Sequence, residues 1–265
     1  MQRKSTTVIG ILKRVLFYII LIMIWELVYK VFVDELSIWK AYTFPSPFDV
    51  ITSLAYLVYD NTLFVAMGAS ITRLIVGYLI SLVVGTVLGL LVIRFKYLDE
   101  NLTPLMLGLQ TLPSVCWIPF AILWYGINES SIIFVTIIGS VFSIALSIVA
   151  GIKNVNPIYV KAAKTMGAKG KKLYFNVVIP SALPEIISGM RQGWSFAWRA
   201  LMAGEMLSAT KGLGQVLMAG RDLGDISQVM AVMIVIIVIG LVFDKLLFGK
   251  LERNIRYKCG LEKKN

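Results

Sequence analysis

Apolar residues fall in long blocks separated by short polar stretches: Val15 to Val33, then residues 64 to 93, 105 to 125, 132 to 150, 182 to 207 and 228 to 248. A helix rises ~1.5 Å per residue, so about 20 apolar residues cross the ~30 Å hydrocarbon core of a bilayer. The pattern therefore predicts an all-α, polytopic membrane protein with six transmembrane helices. Arg3, Lys4, Lys13 and Arg14 precede the first block as in a secretory signal, but no small-residue cleavage site follows, so it reads as an uncleaved span. Within it, Glu26 and Lys30 stand four residues apart and can pair on one helix face. The second block spaces Gly77, Gly85 and Gly89 for close helix contacts, with Arg73 expected near the outer surface. In the third, Pro113 and Pro119 each remove a backbone hydrogen bond, which predicts a bent or broken helix. Between the first two blocks, Phe44-Pro45-Ser46-Pro47 predicts an extended turn.

The fifth block is the least lipid-like, with Glu185, Arg191, Arg199 and Glu205 set among Trp194 and Trp198. Charges are costly in hydrocarbon, so these side chains are expected to face the bundle interior, water or an interface. Arg191 and Glu205 lie close to four whole turns apart, on one face but too distant to pair. Two readings stay open: Arg191, Arg199 and Glu205 line a passage or gate, or they bond to neighbouring helices or a dimer partner.

Composition agrees with the pattern: 58% of the residues are hydrophobic and the mean hydropathy is +0.80, against roughly 45–50% apolar for soluble domains. A net charge of +11 could suggest nucleic acid. However, Arg94, Lys96 and Lys153 sit in short loops, and Lys250, Arg253, Arg256, Lys258, Lys263 and Lys264 crowd the tail. That distribution is positive-inside orientation, with both ends cytoplasmic, rather than a nucleic-acid patch.

One basic insert, residues 157 to 178, interrupts the apolar blocks. Asn156 can cap a helix and Pro157 fits its first turn, which gives a helix to about Met166. Gly167 can take the left-handed conformation that ends it, and a second helix from about Lys169 is expected to stop at Pro180. Lys161, Lys164, Lys169, Lys171 and Lys172 keep the insert in water, while Leu173, Tyr174, Phe175 and Val177 exceed what so short a helix can bury. A protein partner is implied.

Ala162-Ala163, Gly167, Val177, Ile179 and Pro180 resemble the EAA loop of ABC importer permeases, with Lys161 where that loop has Glu. Pro113, Trp117-Ile118-Pro119 and Trp124-Tyr125-Gly126-Ile127 are similar to a second motif of the nitrate, sulfonate, taurine and bicarbonate type. So are Gly189-x-Arg191, Ala197-Trp198, Ala203-x-Glu205-Met206 and Gly212-Leu213-Gly214. The resemblance implies a cell-membrane permease subunit for a small solute such as a nitrate-, sulfonate- or taurine-like anion, or a vitamin precursor. It further implies a homodimer, a separate ATP-binding subunit on the coupling loop, an extracytoplasmic solute-binding protein, and neither catalysis nor a cofactor in this chain. Residues 1–63 would hold the N-terminal tail, first span and outer loop, 64–250 the permease domain, and 251–265 a basic cytoplasmic tail.

Other chemistry finds little support. The chain has no His, and Cys116 and Cys259 form no CxxC or disulfide framework. Gly167 to Lys172 lacks the Ser or Thr of a phosphate loop, and Leu217 stands where GxGxxG needs its third glycine. A different class remains open: an ion-coupled secondary transporter using Glu185, Glu205 and Asp244, although no inverted repeat is visible.

Overall fold

The computed structural model describes residues 2–40 and 42–258, with side chains for 12–40, 42–253 and 255; Cys259, Lys263 and Lys264 lie outside the described residues. Every regular element among them is helical. Helix α1 (Gln2–Tyr29) continues into a wide π turn at Lys30–Glu35, followed by α2 (Pro47–Tyr59) and α3 (Thr62–Arg94). Next come α4 (Lys96–Thr111), a 3-10 turn at Ser114–Trp117, α5 (Ile118–Tyr125) and α6 (Glu129–Lys153). The insert supplies α7 (Pro157–Thr165) and α8 (Gly170–Leu173), joined through a π turn at Tyr174–Val178 to α9 (Ile179–Met206). The chain ends in α10 (Leu213–Asp222), α11 (Ile226–Phe243), a π turn at Asp244–Phe248, and α12 (Gly249–Lys258).

Among the described residues, five helical runs are long and apolar enough to span a bilayer: Leu12–Glu35, Thr62–Arg94, Glu129–Lys153, Gly170–Met206 and Ile226–Arg253. The remaining block, the third, is the broken one. At Leu112-Pro113 the path turns by 101° between α4 and the 114–125 segment. Pro119 does not break a helix but sits in the first turn of α5, where its missing N–H has no helical acceptor to lose.

The chain divides into two compact units. In the first, residues 1–65 and 216–235, Phe44, Pro45 and Ser46 are non-helical, in line with the expected extended turn, and Pro47 opens a helix. Ser46 is extended (ψ 156°), but its Oγ accepts from Asp49 N–H at 3.1 Å and the Asp49 carboxylate accepts from Ser46 N–H at 3.1 Å. This reciprocal capping box, with Pro47 at the first position, launches α2. Trp25 Nε1 donates to Pro45 O at 3.1 Å, tying the loop to α1, and Lys30 and Glu26 pair at 3.4 Å as their spacing suggested.

The second unit, residues 66–215 and 236–265, is built on α6. Its apolar window is more than half buried, whereas that of α1 is not buried at all. Lipid tails are as apolar as Leu, so helix association here rests on close packing and buried polar bonds rather than on water exclusion. Gly85 and Gly89 of α3 press on α6: an added Cβ would lie 2.9 Å from Val141 O and 2.8 Å from Ala145 O. A Cβ at Gly193 of α9 would lie 2.8 Å from Ile144 Cγ1. Ser140 Oγ of α6 donates to Ser81 Oγ of α3 at 2.8 Å, and Ser81 in turn donates to Gly77 O of its own helix. Tyr78 donates to Met190 O at 2.8 Å and meets Trp194 edge-on, which stacks in turn on Phe243.

Replacing Gly89 with Leu should lower the thermal midpoint of the detergent-purified protein by an amount corresponding to about 1–3 kcal/mol of overpacking. Gly108→Ala, where nothing lies within 4 Å, should not. Equal midpoints for Gly89→Leu and the parent would contradict this helix contact.

Candidate functional site

Three constellations carry the charged and exposed residues of interest, and the first is the insert. Asn156 Oδ1 accepts from Ile158 N–H at 2.9 Å and starts α7. At the other end Gly167 is left-handed (φ 86°), Ala168 N–H bonds Ala163 O at 2.9 Å and Gly167 N–H bonds Lys164 O at 3.0 Å. These two bonds are the reciprocal pair of a Schellman C-cap, which satisfies carbonyls that the helix end would orphan. Ala163 is buried beneath the turn, and Lys161, Ala162 and Lys164 are exposed. Around them Ile158, Tyr159, Met166 and Phe175 expose more than half of their surface to solvent.

Pro180 does not end the second helix. The chain runs as one helical path from Gly170 to Met206. Ile179 N–H reaches back five residues to Tyr174 O, so the π turn re-phases the backbone and Pro180 enters in the first turn of α9. At that position the absent N–H costs no established bond. Val177, Ile179 and Pro180 are half-buried, with Val178 fully covered. They root the hairpin rather than form its exposed tip.

The second constellation surrounds Glu205 at the end of α9, which is 0% exposed. Its carboxylate accepts from Arg73 Nη1 at 3.0 Å and Gly214 N–H at 3.1 Å, and Ser70 Oγ lies 2.7 Å from Oε2. Ser70 Oγ itself accepts from Leu213 N–H at 2.9 Å. Arg73 is itself only 4% exposed. Besides Glu205 it binds Lys211 O at 2.7 Å and Glu129, at the start of α6, at 2.8 Å. The sequence Gly212-Leu213-Gly214 is demanded by this contact: a Cβ at Gly214 would fall 2.8 Å from Met202 O, and one at Gly212 against the carboxylate itself. The signal in the sequence for this pairing is that Arg73, the one charge within residues 64–93, needs a counter-charge.

The third constellation separates the other two arginines. Arg191 is held by Asp244 through Nε at 2.6 Å and Nη2 at 2.5 Å, and by Glu252 through Nη1 at 3.0 Å. The two bonds to Asp244 form a planar bidentate fork, which joins α9 to the final π turn, while Glu252 adds α12. Arg199 is exposed, donates only Nε to Ser195 O at 3.1 Å, and lies over the Phe196 ring at 4.8 Å. It borders a cavity of about 380 Å³ formed at the Leu112-Pro113 break against α6 and α9, and another of about 600 Å³ between α9 and α11. Glu205 borders neither cavity. Glu185 is exposed on α9. Among the described residues no cluster of three acidic, His or Cys groups could hold a metal ion.

The family described as binding-protein-dependent transport system inner membrane component matches residues 77–257. An ABC transporter permease protein of Methanocaldococcus jannaschii is 36% identical over 75% of this chain and 73% of its own length. The nitrate import permease protein NrtB of Synechocystis sp. is 30% identical over 70% of this chain and 68% of its own. An amino acid ABC transporter with histidines, known as a crystal structure, superposes with a TM-score of 0.64 over 76% of this chain and 97% of that one. At 16% identity this speaks for the fold.

Removing Glu205 as Ala should destabilise the protein by about 3–5 kcal/mol, since it leaves the Arg73 guanidinium buried without its charge partner. Arg191→Ala should cost clearly less, because that side chain is 39% exposed and screened. Denaturant or thermal unfolding of the purified variants checks the ranking, and equal losses would contradict it.

Proposed function

We infer that this chain, which belongs to the family of binding-protein-dependent transport system inner membrane components, works as half of a paired translocation pathway driven by another subunit. It is a multi-pass inner-membrane permease of an ABC importer. The observation that carries the mechanism is the hairpin at 157–178. It is a rigidly capped, solvent-exposed element bearing apolar side chains and lysines, rooted directly in the long helix α9. A separate ATP-binding subunit docks there, with Lys161, Ala162, Ala163 and Gly167 setting the tip and Val177, Ile179 and Pro180 its base.

Both chain ends face the cytoplasm, in agreement with the Lys and Arg distribution. Residues 1–63 hold the first span and outer loop, 64–250 the permease domain, and 251–265 the cytoplasmic tail. Two copies of the chain assemble, and an extracytoplasmic binding protein delivers the solute. ATP binding closes the partner subunits, draws the two hairpins together, and biases the bundle between inward- and outward-facing states. Arg199 lines the passage, while the Arg73–Glu205 and Arg191–Asp244 pairs act as gate contacts that hold helices together in one of those states. The solute is a small anion of the nitrate, sulfonate or taurine kind, in agreement with the nitrate permease relative and the free guanidinium of Arg199. Of the carboxylates an ion-coupled carrier would use, Glu205 and Asp244 are each held by an arginine and Glu185 is exposed on α9.

Affinity purification of the tagged chain from gently solubilised membranes should recover an ATP-binding subunit in near-equal amount; recovery of the intact, transporting chain alone would refute the reading. Gly167→Val places a β-branched residue at φ 86°, a strain of about 1–3 kcal/mol. It should leave expression near normal while uncoupling ATP hydrolysis from uptake. Normal uptake by that variant would remove the hairpin from the mechanism. Cysteine introduced at Lys164 should crosslink to the ATP-binding subunit, and labelling of it from outside the cell would overturn the orientation.

A further inference from the structure

Helices α6 and α9 run antiparallel and in step. A Cβ added at Gly204 would meet Ile132, at Gly193 Ile144, at Gly189 Ser147, and at Gly151 the Ala182 carbonyl. Helix α6, with 25 residues, is about 37 Å long and by itself exceeds the ~30 Å hydrocarbon core. It ends at Lys153, which pairs with Asp99. The helical path of α9 does not end at that level, because it continues from Ala182 back to Gly170. At ~1.5 Å per residue that stretch carries the hairpin about 18 Å past the level of Gly151. A headgroup layer is only about 5–8 Å deep, so the tip stands clear of lipid.

The tip carries a distinctive surface. On α7, Ile158, Ala162 and Met166 recur at four-residue spacing as one exposed stripe, which Tyr159 widens. Lys161 and Lys164 are exposed along one edge of the stripe, and Ala163 on the other edge is buried. Beyond Gly167, Lys171, Lys172 and Phe175 are exposed as well. Between Glu129 and Glu185 the chain has six lysines and no acidic residue. Of these lysines only Lys153 pairs with a carboxylate among the described residues. Like charges gathered on one hairpin repel each other, and opposing carboxylates relieve that repulsion.

Resting on the permease reading, we propose that the ATP-binding subunit receives this hairpin in an apolar furrow edged with Asp and Glu side chains, and that this charge match chooses the partner. Ile158, Met166 and Phe175 fill the furrow and set the lifetime of the complex. The lysines meet the acidic edge, speed the encounter, and reject a subunit whose furrow is basic. A furrow that accepts Glu at the place of Lys161 offers positive charge there and is such a wrong partner.

The test recombines the permease, in nanodiscs of uncharged phosphatidylcholine, with the ATP-binding subunit that co-purifies with it, and follows association and dissociation by biolayer interferometry. Raising the salt concentration from about 0.05 to 0.3 M should slow association about tenfold and change dissociation little. Lys161→Glu combined with Lys164→Glu should slow association about tenfold at low salt and flatten the salt dependence. Met166→Ala should instead shorten the lifetime about tenfold and keep the salt dependence. A carbodiimide, which joins an amine to a touching carboxylate with loss of water, should link Lys161 or Lys164 to an Asp or Glu of the subunit. The salt titration and the crosslinking use the parent chain, so the folding of a variant does not decide the matter.

Salt-independent association of the parent, association unchanged by the double Glu replacement, or an intact complex without lysine–carboxylate crosslinks would each overturn the proposal. A salt effect present only in nanodiscs of anionic lipid would overturn it too, because it assigns the lysines to the bilayer. If the subunit co-purifies and supports uptake while these tests fail, the charge match is wrong and the permease reading stands. If no ATP-binding subunit accompanies the chain, the permease reading has failed and the charge match with it.

Discussion

A carboxylate buried to 0% exposure in an apolar bundle organises one end of this molecule. Hydrocarbon offers no water to satisfy an ion, so every lone pair of Glu205 has to be met by the chain. Arg73, Ser70 and Gly214 N–H meet them, and these partners come from helices far apart in sequence. Arg73 then reaches Lys211 O and Glu129, so a single guanidinium ties α3, the start of α6 and the turn before α10 to the end of α9. The gain over an apolar replacement is small, because desolvation offsets attraction, but loss of one member is costly. Such a cluster favours one register of the helices above all others.

The same economy governs the packing of α6. With no hydrophobic drive between helices in lipid, contact distance decides their affinity. Glycines on α3 and α9 let both helices approach α6 closely, and Ser81 and Ser140 add a polar link. This rigid spine matters for transport because α9 is continuous with the hairpin through the π turn at Tyr174–Val178. In the proposed mechanism, a displacement of the hairpin would pass to a helix carrying Arg191, Arg199 and Glu205 at successive levels. A chain broken at Pro180 would have no such lever.

The internal arginines differ in their partners. Arg73 and Arg191 each hold two carboxylates, with Arg73 Nε left buried and unpaired among the described residues. Arg199 is exposed and, among the described residues, its one hydrogen bond is from Nε to Ser195 O. The difference lies in what stands across from each side chain.

Much of the architecture is legible in the linear chain because its determinants are local. Block length against bilayer thickness gives the spans, Pro113 marks the broken one, and Asn156, Pro157 and Gly167 delimit α7 by capping chemistry that acts within one turn. Phe44 to Ser46 form the extended turn that the prolines set, and Ser46 with Asp49 adds the capping box that starts α2. Pro180 reads as a stop until a π turn places it in a helix's first turn. What the tertiary structure alone decided is pairing. That Arg73 meets Glu205 across 132 residues, that Asp244 claims Arg191, and that Arg199 is left bordering a cavity depend on which helix faces lie together. Periodicity fixes the faces of each helix, but only packing chooses the neighbour that each face receives.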